Sequence, residues 1–522
     1  MVGLFGTLGT ASSGLNASDV ALQTSANNIS NSSTDGYSRQ KVNLQTKSAY
    51  TLAGVGSIGT GVKVDGVQRD VSDYIREQIR NTNSKYESAT QRSTTLGNLE
   101  DILNEPSDNG IVTQLSSMSS SWTTVANDPE LSTGKSVVIE DASSFVDAIH
   151  DMASSISDLK NTTVTGIEQS ALDFNTDLDD LNDINTQIYA SETAGDTPNT
   201  LLDTRDSLLK SLSGLADITT STDSYGRVSV YLGSTKNSDN LVLDASTKTV
   251  NKLSVVSATS SDSSTVFVDG DTTTTPVSVS GTYDPGTLLI LSKSGDTYSV
   301  AKEATVSEGD LGGYQDALKE INSEMDDLNS FTNTVVKTIN TIYNSDGSTT
   351  PTTSQMYDGL FTLSQDSTNP AADFEVNTDL VDNPEELKTG TSGNSGDSTI
   401  ATAIANAFSS AMTTDGSDES VLSTFDASSL SFTTSTSGSS YATRFNNIVT
   451  TNGIAKQKAD NSESSQNTLL TSLNDQDDSV SGVSINEEMA DVIKYQNAFQ
   501  ANARMLEIVS DCLDTLINKT GV

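Results

Sequence analysis

From Ile485 the chain repeats apolar residues every seven positions, at Val492, Phe499, Leu506 and Leu513, with Met489, Ala503 and Ile517 set between them. That spacing belongs to a helix packed along its length on another helix. Ser484, with Glu487 three residues on, has the pattern of a capping box at the start of this helix. A second stripe, Ala498, Met505, Val509, Cys512 and Leu516, lies on the same helix. Two apolar faces need neighbours on both sides, which a lone pair of helices does not supply. The pattern suits either an intramolecular core or a place inside a multi-subunit assembly.

The other end of the chain offers a matching element. Leu4, Leu8, Ala11, Leu15, Leu22 and Ile29 fall at three- and four-residue steps and predict an amphipathic helix. It closes at Asn31 to Gly36, where Asp35-Gly36 marks a turn, and Tyr37 to Leu44 alternates as a short strand before a Gly-rich stretch over 54–66. The helical period resumes at Tyr74, Ile75, Ile79, Leu96, Leu99 and Leu103, with a stop at Asn104-Glu-Pro106. Ile111, Leu115, Met118, Trp122 and Val125 predict a further helix, with Trp122 in its core face. The same period recurs over 137–156 and 167–212. It changes to alternation in Arg227 to Leu232, Thr265 to Val268 and Leu288 to Leu291, so 216–308 reads as a β-rich insertion. Helix returns from Leu311 to Ile342, a weakly patterned, Ser/Thr/Gly-rich segment fills 348–440, parts of it expected to be mobile, and a polar helix runs over 441–473.

The fold expected is therefore mainly α with β-rich insertions, in an elongated multidomain chain that leaves and returns through the same layers. Residues 1–70 and 480–522 form a terminal core, with the two terminal helices paired in a coiled-coil manner. Residues 71–215, 309–347 and 441–479 form a discontinuous helical bundle, and 216–308 and 348–440 are its insertions.

Charge and composition narrow the function. Seventy Asp and Glu against 28 Lys and Arg leave a net charge of −42, which repels phosphate, so neither nucleic acid nor an anionic membrane is an expected partner. His150 and Cys512 are the only residues of their kinds. Most hydrolase triads and zinc sites lack their bases or ligands at the outset. The amino terminus lacks the basic and apolar regions of a Sec signal peptide, and no apolar run approaches the roughly 20 residues of a membrane span. Export, if it occurs, needs another route.

Motifs of catalytic or ligand-binding chemistry fail on inspection. Leu131 to Ser136 ends in Gly-Lys-Ser, but Pro129 stands where a phosphate-binding loop needs its first glycine. Asp173 to Asp177 begins like a calcium loop, yet Leu178 and Ile184 replace the required glycine and glutamate. Asp177, Asp179, Asp180 and Asp183 read as a solvated helix face, and His150 as a surface or helix-end residue. No catalytic, cofactor-binding or metal-binding residue is assigned, and no cofactor is expected.

Two terminal motifs carry a family resemblance. Ala26-Asn-Asn-Ile-Ser-Asn31 with Gly36-Tyr-Ser-Arg-Gln40, and Ser481 to Glu488 with Tyr495-Gln496 and Phe499 to Arg504, resemble the paired end motifs of the bacterial flagellar rod, hook and hook-associated axial proteins. Trp122 to Pro129, Leu181 to Ile188 and Asn199 to Asp206 are similar to the hook-associated branch, with Leu311-Gly-Gly313 and Gly359-Leu-Phe361 as weaker matches. Ser119-Ser-Ser121 departs from it, since bulkier residues are usual there. The insertions match only in position. The resemblance implies a structural, non-enzymatic protein joining hook to filament, secreted through the flagellar type III system and located at the hook-filament junction. Its implied partners are copies of itself, hook protein, the second hook-associated junction protein and an export chaperone on the C-terminal helix. The terminal helices would order on assembly, through Leu8, Leu15, Leu22, Ile29, Ile485, Met489, Val492, Phe499, Leu506, Val509, Leu513, Leu516 and Ile517. Hook protein itself, and a secreted adhesin or enzyme acting through the central insertions, are the alternatives.

Overall fold

The computed structural model describes residues 2–52, 54, 56–103, 110–259, 263–267, 277–294 and 297–519. The chain is mainly α-helical with β-rich insertions. It opens with α1 (Val2–Ser30), the strands β1 (Gln40–Thr46), β2 (Tyr50–Leu52), β3 (Gly56–Ile58) and β4 (Val62–Arg69), and α2 (Asp73–Leu103). Then come α3 (Ile111–Asn127), α4 (Ser132–Ala194), α5 (Asn199–Leu215), and, after nine more strands, α6 (Gly309–Asn344). Two long helices close the chain, the penultimate Tyr441–Ser481 and the C-terminal Ile485–Asp514. In the Ser- and Thr-rich helices the hydroxyls are satisfied by bonding back to the preceding turn, as Thr7, Ser18 and Thr24 do to the carbonyls of Gly3, Gly14 and Val20 at 2.7, 2.9 and 2.9 Å.

The described residues fall into two compact units, 1–88 with 168–312 and 463–522, and 89–167 with 313–462. The boundary lies inside α2, the penultimate helix and, near their ends or middle, α6 and α4. Periodicity over 137–156 and 167–212 suggests two segments, whereas α4 is one helix of 63 residues that also spans the weakly patterned stretch between them. The expected stop at Asn104-Glu-Pro106 lies outside the described residues.

In the second unit, Ile111, Leu115, Met118, Trp122 and Val125 of α3 are all buried, as their spacing predicts. The segment 348–440, weakly patterned as sequence and expected to be mobile in part, folds here as helices of four to eleven residues and two-residue strands. Elements this short show no period. They are held by aromatic contacts instead, with Phe361 and Phe374 packing on Phe145 at ring distances of 6.4 and 6.0 Å. Exposed aspartates shape the loops: Asp346 accepts the Ser348 and Thr349 amides at 2.8 and 2.7 Å, which holds its carboxyl well below the usual range. His150 corrects its sequence reading. It sits inside α4, about a third of the way along, half-buried, with Nε2 2.9 Å from the Phe374 carbonyl and its ring edge-on to Phe374.

In the first unit, β5 (Ile218–Thr222), β6 (Val228–Leu232), β7 (Leu241–Asp244) and β8 (Thr249–Val250) make an antiparallel sheet in chain order. Next, β9 (Lys252–Thr259), β10 (Ser263–Phe267), β11 (Val277–Ser280), β12 (Leu288–Ser294) and β13 (Thr297–Glu303) form a sheet ordered β11-β10-β9-β12-β13. Val256, Val266, Leu289 and Leu291 are its small core. Val268, expected in a strand with Thr265, lies outside the described residues.

One device joins helix to β segment four times. A buried asparagine accepts the N–H and donates to the C=O of a single partner residue, as a neighbouring strand would. Asn28 does this for Gln40 at 3.0 and 2.9 Å, Asn175 for Leu253 at 2.8 and 2.7 Å, and Asn185 for Val228 at 2.9 and 2.9 Å. Asn340 does it for Phe361 at 3.0 and 2.8 Å. Each amide supplies a partner to both backbone groups of that residue, as burial of such groups requires.

Candidate functional site: the terminal helix pair and its arginine clamp

On the C-terminal helix, Glu488, Val492, Tyr495, Phe499, Asn502, Leu506, Val509 and Leu513 are buried or half-buried at three- and four-residue steps. This is the face turned to α1, the two helices being in contact along their lengths. The side chains that α1 buries are small: Ala11, Ser13, Ala17, Ser18, Ala21, Thr24, Ser25 and Asn28. Small residues let backbones come close, and at Gly14 a Cβ would meet the Asn502 amide nitrogen at 2.8 Å. Leu8, Leu15, Leu22 and Ile29, the stripe expected from sequence, are only half-buried. Sequence spacing weighs large residues, whereas the contact on α1 is made through alanine and serine.

Away from α1 the C-terminal helix exposes two apolar groups. Ile485, Met489 and Ile493 near its start, and Met505, Ile508, Leu516 and Ile517 toward its end, are each 44 to 67% exposed, the last two on a π-helical turn, Thr515–Lys519. The thirteen residues expected to act together thus divide. Val509 is buried, Val492, Phe499, Leu506 and Leu513 lie half-buried toward α1, and Ile485, Met489, Leu516 and Ile517 are exposed. Ile493 and Ile508 complete the two exposed groups, and their steps of four from Met489 and Cys512 were a readable signal for them.

A cluster of ion pairs anchors the base of this helix pair. Tyr37, Ser38 and Arg39 follow a turn at Gly36, whose φ of 74° is left-handed and where a Cβ would meet the Ser207 hydroxyl at 2.5 Å. Arg39 Nε lies 2.8 Å from Glu488 Oε1 and its Nη1 lies 3.4 Å from Glu487 Oε2, while its amide donates to the Ser481 carbonyl at 2.8 Å. Ser484 is the N-cap residue, but its side chain makes no capping bond, and Glu487 is drawn to Arg39 rather than back to the cap. Ser38 Oγ donates to Asp203 Oδ1 at 2.5 Å and accepts from Arg76 Nη2 at 2.8 Å. Arg69 bridges Asp203 and Asp206 at 2.8 and 3.0 Å, Arg205 holds Asp206 at 2.6 Å, and Arg76 also pairs with Asp206.

Burial pushes the Asp206 carboxyl up, but Arg205, Arg69 and Arg76 outweigh it and hold the group below its usual range. Burial, with Asp203 and Glu488 nearby, pushes the Tyr37 phenol up to about 12, so it stays a donor, to Asn28 Oδ1 at 2.9 Å. A cavity of about 720 Å³ opens beside the clamp, lined by Asp35, Arg76, Arg80, Asp206, Lys210 and Asp477 among others. Among the described residues no group of three or more His, Cys, Asp or Glu is arranged to hold a metal ion, and no helix is long and apolar enough to cross a membrane. What the arrangement does chemically is fasten two distant ends of one chain and present exposed apolar groups.

Comparison with known proteins matches the chain to flagellar families. Residues 96–355 match the flagellar hook-associated protein FlgK helical domain. Residues 8–37 match the flagella basal body rod protein family, and 478–519 the flagellar basal body rod FlgEFG protein C-terminal family. Over 554 aligned residues the chain is 26% identical to flagellar hook-associated protein 1 of Bacillus subtilis, covering 100% of this chain and 99% of that one. The chain belongs to the FlgK family of flagellar hook-associated proteins. It is also 28% identical to flagellar hook-associated protein 1 of Escherichia coli over 50% of this chain and 47% of that one. The solved flagellar hook junction protein FlgK from Burkholderia pseudomallei shares 18% identity over 55% of this chain and 46% of that one, with a TM-score of 0.42.

In this FlgK-family chain, three separate stretches of sequence become one place. Gly36 to Gln40, Asn199 to Asp206 and Ser481 to Glu488 supply most of the clamp. Arg69 and Arg76 complete it, and no motif signalled them.

Proposed function

We propose that this chain is a structural joint between the flagellar hook and filament, without catalytic activity. The observation that carries this reading is the set of exposed apolar residues between Ile485 and Ile517, on a helix already packed on α1, in a member of the FlgK family. Seven exposed large apolar residues on one helix of an acidic, otherwise polar protein mark an interaction surface. Copies of the same chain would cover it in the axial structure, with hook protein on one side and the second hook-associated junction protein on the other. The terminal pair, 1–70 with 480–522, would be the axial core, and the bundle and insertions would lie outside it. Export before assembly leaves these residues uncovered, which suits a chaperone on the C-terminal helix and secretion through the flagellar type III system.

Electron microscopy of a strain lacking this gene, with assay of flagellin in the medium, tests the reading. Finished hooks without filaments, and free flagellin in the medium, are expected. Normal filaments would overturn it.

A further inference from the structure

The N-terminus of α5 is uncapped. Pro198 precedes it and makes no side-chain capping bond, and the first turn holds no acidic residue. The amides of Thr200 and Leu201, the second and third residues of the helix, have no acceptor among the described residues. These are the two donors that a capping side chain ordinarily takes. Both residues line a cavity of about 530 Å³ walled by α1, β1, β4 and the start of α5. Asn199 lines it too and is 8% exposed. Its Nδ2 donates to the Val67 carbonyl at 2.8 Å, and its Oδ1 is left without a partner. No lining residue among those described is charged: Gln23, Asn27 and Gln40 supply carboxamides, and Val20 and Leu201 an apolar wall.

Two unmet donors beside one unmet acceptor select the ligand. A carboxylate satisfies the donors but has no proton to give Asn199 Oδ1. A carboxamide satisfies both, its oxygen accepting from the two amides and its nitrogen donating to Oδ1. The chain carries such groups on its own C-terminal helix. Gln500 stands one heptad beyond the exposed Ile493, with Gln496 and Asn497 to either side of that line. All three are exposed, and none has a hydrogen-bond partner among the described residues.

We propose that a carboxamide of this group, on a second copy of the chain, enters the cavity and caps α5. This rests on the axial role proposed above. Continuity selects the occupant: Ile493 belongs to the surface that a neighbouring copy would cover, and the three carboxamides extend its face. Hydrogen-bond complementarity then selects the group, since the cavity offers two donors, one acceptor and no charge.

The test places a photo-crosslinking residue at Thr200 of the full chain in a strain lacking the native gene, and examines purified flagella by gel and mass spectrometry. A crosslink of dimer mass that maps to 493–500 is expected. Gln496→Glu/Asn497→Asp/Gln500→Glu keeps the side-chain shapes and removes the N–H donors, and should lower the yield about tenfold, on the scale of one unmet buried hydrogen bond. Pro198→Asp supplies the cap from the chain itself. Against Pro198→Ala it should slow hydrogen exchange in the first turn of α5 in the free chain and lower the crosslink about tenfold. A Thr200 crosslink only to another protein, none at all, or an unchanged yield in either the carboxylate or the Pro198→Asp variant overturns the contact while leaving the axial role standing. Absence of the unsubstituted chain from flagella overturns the axial role and the contact with it.

Discussion

Arg39 and Glu488 are 449 positions apart in sequence and 2.8 Å apart in space. The pair ties the exit of α1 to the first turn of the C-terminal helix. Glu488 is almost fully buried and Arg39 about a quarter exposed. Removing one partner of such a pair leaves a buried charge without compensation. Arg39→Ala is therefore expected to destabilise the terminal pair by roughly 2 kcal/mol, at the lower end for buried pairs because Arg39 is part solvated. Hydrogen exchange should show faster exchange in α1 and the C-terminal helix with no change in 89–167. Glu488→Gln, which removes the stranded charge, should cost less, and equal losses in the two variants would argue against the pair.

Gly14 faces Asn502 where a Cβ has no room. Alanine would raise helix propensity by about 1 kcal/mol over glycine in an open position, but here the amide must move. Gly14→Ala alone should weaken the pair, whereas Gly14→Ala with Asn502→Ala should exceed the unsubstituted chain in stability. A double-mutant cycle with no coupling would show that the helices do not meet there.

Asn340 and Asn175 serve the two units separately. Each side chain pairs with both backbone groups of one residue, so Asn→Ala leaves a buried N–H without its partner, at about 2 kcal/mol, while the Phe361 carbonyl keeps the Gly359 amide at 3.0 Å. Asn340→Ala should lower the stability of the unit containing Phe361. Asn175→Ala should act instead on the unit containing Leu253. Thermal unfolding followed by exchange in each unit would separate them, and a uniform loss would count against the assignment.

Glu324 on α6 is 2% exposed, and its Oε2 has no hydrogen-bond partner among the described residues. Burial, then Asp327 and Glu320, push its carboxyl up to about 7. The folded state therefore holds a proton that the unfolded state has released above about pH 4.5. Its contribution is fully present at low pH and is lost as pH rises through about 7, amounting to roughly 2 kcal/mol. Denaturation between pH 5 and 8 should show the decline, and Glu324→Gln should flatten it. A Gln variant with the same slope would place the proton elsewhere.

How much of this was legible follows from the kind of signal involved. The buried face of α3, from Ile111 to Val125, and the alternation in Val228 to Leu232 are periodic and large-residue, so sequence spacing found them. The Ala and Ser face of α1 is not, because small residues are found at polar and buried positions alike. The clamp was hidden by abundance: with 70 carboxylates in the chain, nothing in the sequence singles out Asp203 and Asp206 as the pair that Arg69 bridges. The four asparagine joints depend on tertiary neighbours 12 to 78 residues away, and an asparagine in a helix looks the same whether or not a strand lies beside it.

The division of the C-terminal helix into a packed face and exposed apolar groups separates two effects that sequence alone combines. Phe499→Asp or Leu506→Asp places a charge in the seam with α1, so both should loosen the pair itself and, through it, abolish incorporation into the flagellum. Ile493→Asp and Ile508→Asp place the charge in the exposed groups, where it meets water in the monomer and apolar neighbours after docking. These two should leave the exchange protection of the terminal pair unchanged and prevent incorporation of the chain that is secreted. Immunoblots of medium and purified flagella, with exchange on the monomer, distinguish the outcomes. Incorporation of Ile493→Asp and Ile508→Asp at the unsubstituted level would mean that the exposed groups are not the docking surface.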